Sequence, residues 1–177
     1  MRLRKSFFIR PALSVAKDLL GKYLVRRLAT KEIPLMVTEV EAYVGFNDRA
    51  SHANKGKTER NKVMFSEGGR WYVYFTYGMH WMLNIVTGPK NYPAAVLIRG
   101  TDKIRGPGRL TKYLKIDKRL NGCLSDKKSG LWIEDRGFKV KLSEIIKAPR
   151  IGIDYSGPEW AKKPWRFYIK DIPASRQ

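Results

Sequence analysis

Two carboxylates stand two residues apart in the run Val37-Thr38-Glu39-Val40-Glu41-Ala42-Tyr43-Val44-Gly45. Side chains alternate across a strand, so Glu39 and Glu41 share a face and the spacing leaves open which of them matters. A carboxylate at a strand end beside aromatic rings, in a dry pocket, can act as a general base. A solvent-facing pair would instead bridge to nearby lysines. His52 follows in a polar Gly/Lys loop, where a solvated histidine is the plain alternative to a ligand contact. Asn84 sits in the apolar run Met82-Leu83-Asn84-Ile85-Val86. A buried amide must have partners, so it is either structural or reads a ligand. Arg99 ends the apolar run Ala95-Val96-Leu97-Ile98-Arg99, where it can pair with a buried carboxylate or stand at the surface.

Between these segments, Trp71 to Asn84 packs six aromatic rings and the turn signal Gly78 into one expected hairpin, on a chain with 36 Lys+Arg against 16 Asp+Glu and a formal charge of +20. Flat π-faces on a basic body suit phosphate neutralisation and base stacking; a buried aromatic face is the structural alternative. The charge favours a polyanionic partner, either DNA, RNA or an anionic membrane surface. The membrane is the weakest of these, since no apolar run reaches spanning length and no long basic amphipathic helix is visible. The single cysteine, Cys123, cannot form an internal disulfide, and His52 and His80 alone offer no all-protein zinc site, so neither metal nor organic cofactor is expected. Phe7-Phe8-Ile9 is too short for a signal sequence, which points to a reducing compartment, a bacterial cytoplasm or a nucleus.

These residues need elements to hold them. Pro11 to Leu20 reads as a helix with Gly21 at its C-terminal end. Lys22–Leu28 and Leu35–Tyr43 read as strands, and the polar stretch from Gly45 to Lys62 as a long surface loop. Arg70–Tyr77 and His80–Val86 pair around Gly78, and Ala94–Arg99 follows as a short strand. Gly106-Pro107-Gly108 breaks the chain before a helix over Arg109–Leu114. Strand-like runs then recur at Leu131–Glu134, Lys139–Leu142, Pro149–Ile153 and Trp165–Ile169. Strands dominate without a βαβ rhythm, which predicts an α+β fold, a single domain over residues 1–177 with a curved, mostly antiparallel sheet, few helices and a protruding hairpin.

In order along the chain stand TEVEAYVG followed by SH, TERNKVMF, YVYFTYGMHWMLN, AAVLIRG, GPGRL, PRIGI and EWAKKPWRFY. Their ordered combination, covering Gly21 to Ile169, closely resembles the alkyladenine (3-methyladenine) DNA glycosylase family. The resemblance implies a monofunctional enzyme of base excision repair that flips an alkylated or deaminated purine, such as hypoxanthine, out of duplex DNA and hydrolyses its N-glycosidic bond. Glu41 matches the family's catalytic carboxylate, and Arg99 the residue that helps hold that carboxylate and its water. Tyr43, His52 and Tyr74 match the walls of the flipped-base pocket, and Asn84 the residue that crowds the 2-amino group of guanine. Tyr77, with Gly78 at the hairpin tip, matches the wedge that fills the gap in the duplex. Met79, Lys55, Lys57, Arg60 and Asn61 are expected to contact DNA as well. The implied partner is double-stranded DNA with a damaged purine, bound by a monomer. Where animal members have Tyr-Phe after the Gly-Met of the hairpin, this chain has His80-Trp81. A basic binding module without activity and a lyase using a lysine amine are the rival readings.

Overall fold

Glycines in the left-handed region and prolines punctuate the chain, and the strands between them carry the apolar residues of the core. The computed structural model describes residues 1–170. In chain order the elements are α1 (Lys5–Phe8), α2 (Ala12–Leu19), β1 (Tyr23–Leu28), β2 (Lys31–Val44), β3 (Trp71–Thr76), β4 (His80–Val86), β5 (Ala94–Thr101), α3 (Pro107–Tyr113), β6 (Leu131–Glu134), β7 (Ile145–Ala148), α4 (Pro158–Ala161) and β8 (Arg166–Ile169). Pro11 precedes α2, whose stripe of Val15, Ala16 and Leu19 is fully buried. Gly21, at φ +81°, turns the chain out of the helix; a Cβ there would meet the Phe138 ring at 2.7 Å.

All eight strands join one antiparallel sheet in the order β3-β4-β5-β2-β1-β6, with β8 also on β2 and β7 outside β8. The sheet curls around β2. That strand pairs with β1 through Lys31–Met36, then with β8 through Glu39–Glu41, while Val37–Val44 pairs with β5 on its other edge. Register shifts at Glu39 mark a bulge where one neighbour replaces the other, and a bulge bends a strand and re-aims its side chains. The α+β class, the antiparallel sheet and the small helical share match the sequence-based expectation.

Alternation sorts the strands into two faces. Trp71, Val73, Leu83, Ile85, Val96 and Ile98 point into the main core, against α2 and the α3 residue Leu110. The intervening residues Tyr72, Tyr74, Met82, Asn84, Leu97 and Arg99 line a cavity on the opposite face.

The C-terminal third departs from expectation in two places. Lys139–Leu142 is not a strand but an irregular run into a 3₁₀ turn over Leu142–Glu144, where the Glu144 carboxylate accepts from the Lys141 N–H at 2.7 Å. Pro149–Ile153 is not a strand either; the strand lies just before it, at β7. Proline lacks an amide hydrogen and Gly152 adopts φ +75°, so this segment cannot continue the ladder. The stretch from Gly45 to Lys62 is a loop, but an anchored one, with Asp48, Ser51, Ala53 and Asn61 buried.

Candidate active site

The register assembles a row of side chains across four strands. Glu41 pairs with Leu97, Leu97 with Asn84, and Asn84 with Tyr72. All four line the cavity of about 560 Å³, a volume typical of small-molecule sites. At 4.7–4.9 Å per strand, Glu41 and Asn84 stand two strands, roughly 10 Å, apart along this row, with Tyr72 one strand further.

Glu41 is the buried carboxylate of the expected pair, at 0% exposure. Its Oε1 accepts from the Ile151 N–H at 2.8 Å and lies 3.2 Å from Arg99 Nη1, and its Oε2 accepts from the Tyr43 hydroxyl at 3.0 Å. Burial pushes its pKa above the usual carboxylate value of 4.5; Arg99, the Ile151 amide, Tyr43 and Arg150 oppose that rise. Glu39 shares the face and the same arginine, meeting Arg99 Nε at 3.2 Å and Arg166 Nη1 at 3.0 Å, but its side chain keeps 22% of its surface. One guanidinium thus spans both acids, and burial separates their roles. Arg99 lies inside β5 rather than at its end.

The walls are aromatic. His52 meets Tyr74 edge-on with centroids 4.5 Å apart, Tyr72 and Tyr74 tilt together at 5.2 Å, and His52 Nδ1 shares a 3.0 Å hydrogen bond with the Tyr72 hydroxyl. Burial among these rings and the charge of Arg60 lower the His52 pKa from 6.5, so the ring is neutral at neutral pH; its open surface faces the cavity. Burial raises the Tyr43, Tyr72 and Tyr74 pKa values, which keeps all three phenols protonated. Asn84 is buried and donates from Nδ2 to the Tyr72 carbonyl at 3.2 Å.

The hairpin tip closes the mouth. Tyr77 and Gly78 turn with φ +52° and +66°, and the Met79 N–H donates back to the Thr76 carbonyl at 3.2 Å. Tyr77 is 78% exposed and Met79 is also largely exposed. Tyr77 does not stand apart from the carboxylate, as a bare hairpin tip suggests. It lines the same cavity as Glu41, and its hydroxyl reaches over Gly152, 3.9 Å from where a Cβ would sit. Lys55, Lys57 and Arg60 are exposed on the loop beside it, with Arg60 stacked 5.7 Å above Tyr74 and donating to the Phe75 carbonyl. Asn61 is different. At 2% exposure it donates to the carbonyls of His52 and Gly56 and accepts from the Thr58 N–H, so it is positioned to hold the loop rather than to touch a ligand.

Three contributors have no side-chain signature of catalysis in the sequence. Ile151 supplies a backbone N–H, and Tyr155 lines the cavity while donating to the Ala50 carbonyl at 3.0 Å. Arg150 pairs with Asp48 in the interior. The only sequence signal for this wall is the PRIGI segment itself.

A family profile described as Methylpurine-DNA glycosylase (MPG) matches residues 6–106 and 100–173. The chain is 44% identical to a protein of Methanocella arvoryzae, with 97% of this chain and 94% of that one covered. It is 42% identical to a protein of Legionella pneumophila (97% and 96% covered) and 42% to one of Borreliella burgdorferi (93% and 94%). All three bear the name "Putative 3-methyladenine DNA glycosylase".

Proposed function

Because the chain belongs to the methylpurine-DNA glycosylase family and is a DNA glycosylase, we propose that it flips an alkylated or deaminated purine from duplex DNA into the aromatic cavity and hydrolyses the N-glycosidic bond there. One observation carries this reading: a fully buried carboxylate, Glu41, held by three donors at one end of a ring-walled floor. Glu41 takes a proton from water as the water oxygen bonds to the sugar C1′. The C1′–N bond breaks and its electron pair leaves with the base. Arg99 and the Ile151 N–H fix the carboxylate, and Arg99 offers a further donor to the water. A purine alkylated on the ring carries positive charge, leaves as a neutral base and is attracted to the faces of Tyr43, Tyr74 and His52. Hypoxanthine is neutral and needs its departing nitrogen protonated. Asn84, two strands across the floor from Glu41, meets the base edge. Tyr77 with Gly78 and Met79 enters the duplex, and Lys55, Lys57 and Arg60 meet phosphates, with Asn61 holding their loop. Among the described residues no lysine lines the cavity, which speaks against a lyase that works through an amine.

The test is single-turnover base release from a duplex carrying one 3-methyladenine or one hypoxanthine. Glu41→Gln lowers the rate by on the order of 10²–10⁴ with DNA affinity kept, because an amide cannot accept the proton. Glu39→Gln is the milder control. The wild-type rate falls as pH drops, since only the carboxylate form is a base, and the midpoint lies above 4.5 because burial raises the Glu41 pKa. A Glu41→Gln rate within threefold of wild type rejects Glu41 as the base.

A further inference from the structure

Behind the cavity wall lies an ion pair that the hydrolysis itself does not use. Arg150 and Asp48 are both buried, 102 residues apart, and bonded twice: Nη1 to Oδ2 at 2.6 Å and Nη2 to Oδ1 at 2.8 Å. Nη1 also donates to the Ala42 carbonyl at 3.0 Å. Asp48 accepts from the N–H groups of Val44 and Ala50 at 3.0 and 3.1 Å. The guanidinium lies between two rings, 4.8 Å from the centre of Tyr43 and 5.0 Å from that of Trp165. Its Nε is buried with no partner.

A pair of this kind is poor evidence of stabilisation, since desolvating two charges offsets most of their attraction and the idle Nε adds to the cost. Its placement has a different meaning. Arg150 sits under the ring of Tyr43, whose hydroxyl donates to Glu41 Oε2, and directly precedes Ile151, whose N–H donates to Glu41 Oε1. Two of the three donors on the carboxylate therefore rest on one guanidinium, and Asp48 fixes that guanidinium to the strand end that follows Glu41. We propose that the Asp48–Arg150 pair is a positioning unit that aligns Tyr43 and Ile151 on Glu41 and so sets both the orientation and the basicity of the water-activating carboxylate.

The groups facing Glu41 are Arg99 on β5, Tyr43 on its own strand, Tyr74 on β3, and Arg150, Ile151 and Tyr155 on the segment after β7; Arg166 on β8 is turned to Glu39. Arg99 and Arg150 supply positive charge, and Tyr43 and Ile151 supply hydrogen bonds, all favouring the carboxylate form. Loss of alignment therefore raises the Glu41 pKa and moves the acid limb of activity to higher pH.

The inference rests on Glu41 being the base, and the experiment separates the two. Arg150→Lys keeps the charge but not the double bond to Asp48 or the stacked plane, so any change reports alignment rather than Coulomb attraction. Trp165→Leu removes one ring from the guanidinium while leaving the ion pair whole, and decides the matter if Arg150→Lys does not fold. Each variant is assayed well below its own Tm for single-turnover release, for affinity to undamaged duplex, and by NMR titration of the Glu41 carboxyl carbon. The expected result for Arg150→Lys is a plateau rate lower by roughly 10- to 100-fold, as for a slightly misplaced catalytic group. The acid limb and the Glu41 titration move together to higher pH, and duplex affinity stays within twofold. Trp165→Leu moves the same way by less. A folded variant with the wild-type rate and acid limb overturns the proposal, as does a rate loss with an unmoved Glu41 titration or a loss confined to affinity. If the wild-type protein releases no base, the reading of the site fails, while the NMR titrations still decide whether the pair governs Glu41.

Discussion

At the scale of single residues, the buried amide of Asn84 faces two demands. Its Nδ2 ties β4 to the Tyr72 carbonyl, and in the proposed function its side chain, two strands across the floor from Glu41, meets the edge of a flipped base. Guanine differs from hypoxanthine by the 2-amino group, and the role proposed for Asn84 is that its branched amide crowds that group. Asn84→Ser shortens the side chain, so guanine release from undamaged DNA is expected to rise, with a stability loss near ~1 kcal/mol for the missing hydrogen bond. A variant that loses hypoxanthine release and stability yet gains nothing on guanine shows Asn84 to be structural only. Tyr74, Asn84 and Arg99 were legible through the family resemblance, and alternation along their strands is what turns them, and Tyr72 with them, to the cavity face. The period did not choose between Glu39 and Glu41, since both obey it and only burial by distant segments separates them. Asp48 and Arg150 were silent for the same reason, and Ile151 acts through a backbone group that every non-proline residue has.

At the scale of elements, the β3–β4 hairpin carries strain at its tip. A tyrosine at φ +52° costs about 1–2 kcal/mol relative to the right-handed region, and Tyr77 recovers little by packing because it is mostly exposed. A left-handed tyrosine at an exposed tip is compatible with the contact role proposed for Tyr77. Tyr77→Gly removes both the strain and the ring. Its Tm is expected to equal or exceed that of wild type, while flipping, read by a fluorescent base analogue, falls most in a fully matched duplex and least in a mismatched one. An equal loss on every substrate with a lowered Tm makes the ring part of the fold. The hairpin could be read in advance because its turn and its period are local. The last strands could not. Lys139–Leu142 alternates as a strand should but has no partner edge among the described residues, whereas Ile145–Ala148 pairs with β8. The PRIGI run buries Arg150 and Ile153, and its Ile151 amide is committed to Glu41 instead of a ladder.

At the scale of the whole molecule, a charge of +20 leads to the expectation that phosphate contact is the main source of DNA affinity. Binding to undamaged duplex is expected to fall with salt at a log–log slope of roughly −0.9 per phosphate neutralised. Arg109 and Lys112 are exposed one helical turn apart on α3, whose first residue, Pro107, lines the cavity mouth. Replacing both with glutamine should flatten the slope by up to about 1.8, two contacts' worth, and leave the single-turnover rate at saturating enzyme intact. A flat salt dependence in the wild type contradicts phosphate-driven binding altogether. The same global arrangement bears on how the protein is born. Glu41 receives the Ile151 amide across 110 residues and Asp48 receives Arg150 across 102, while β8 reaches back from Arg166 to the same stretch of β2. On a ribosome adding roughly 5–20 residues per second, the basic hairpin and loop emerge on the order of 10 s before the segment that completes the carboxylate's cage. With Glu41 as the proposed base, a nascent chain whose hairpin and loop could already meet phosphates still lacks the Ile151 donor, so base release is expected only with the last part of the fold.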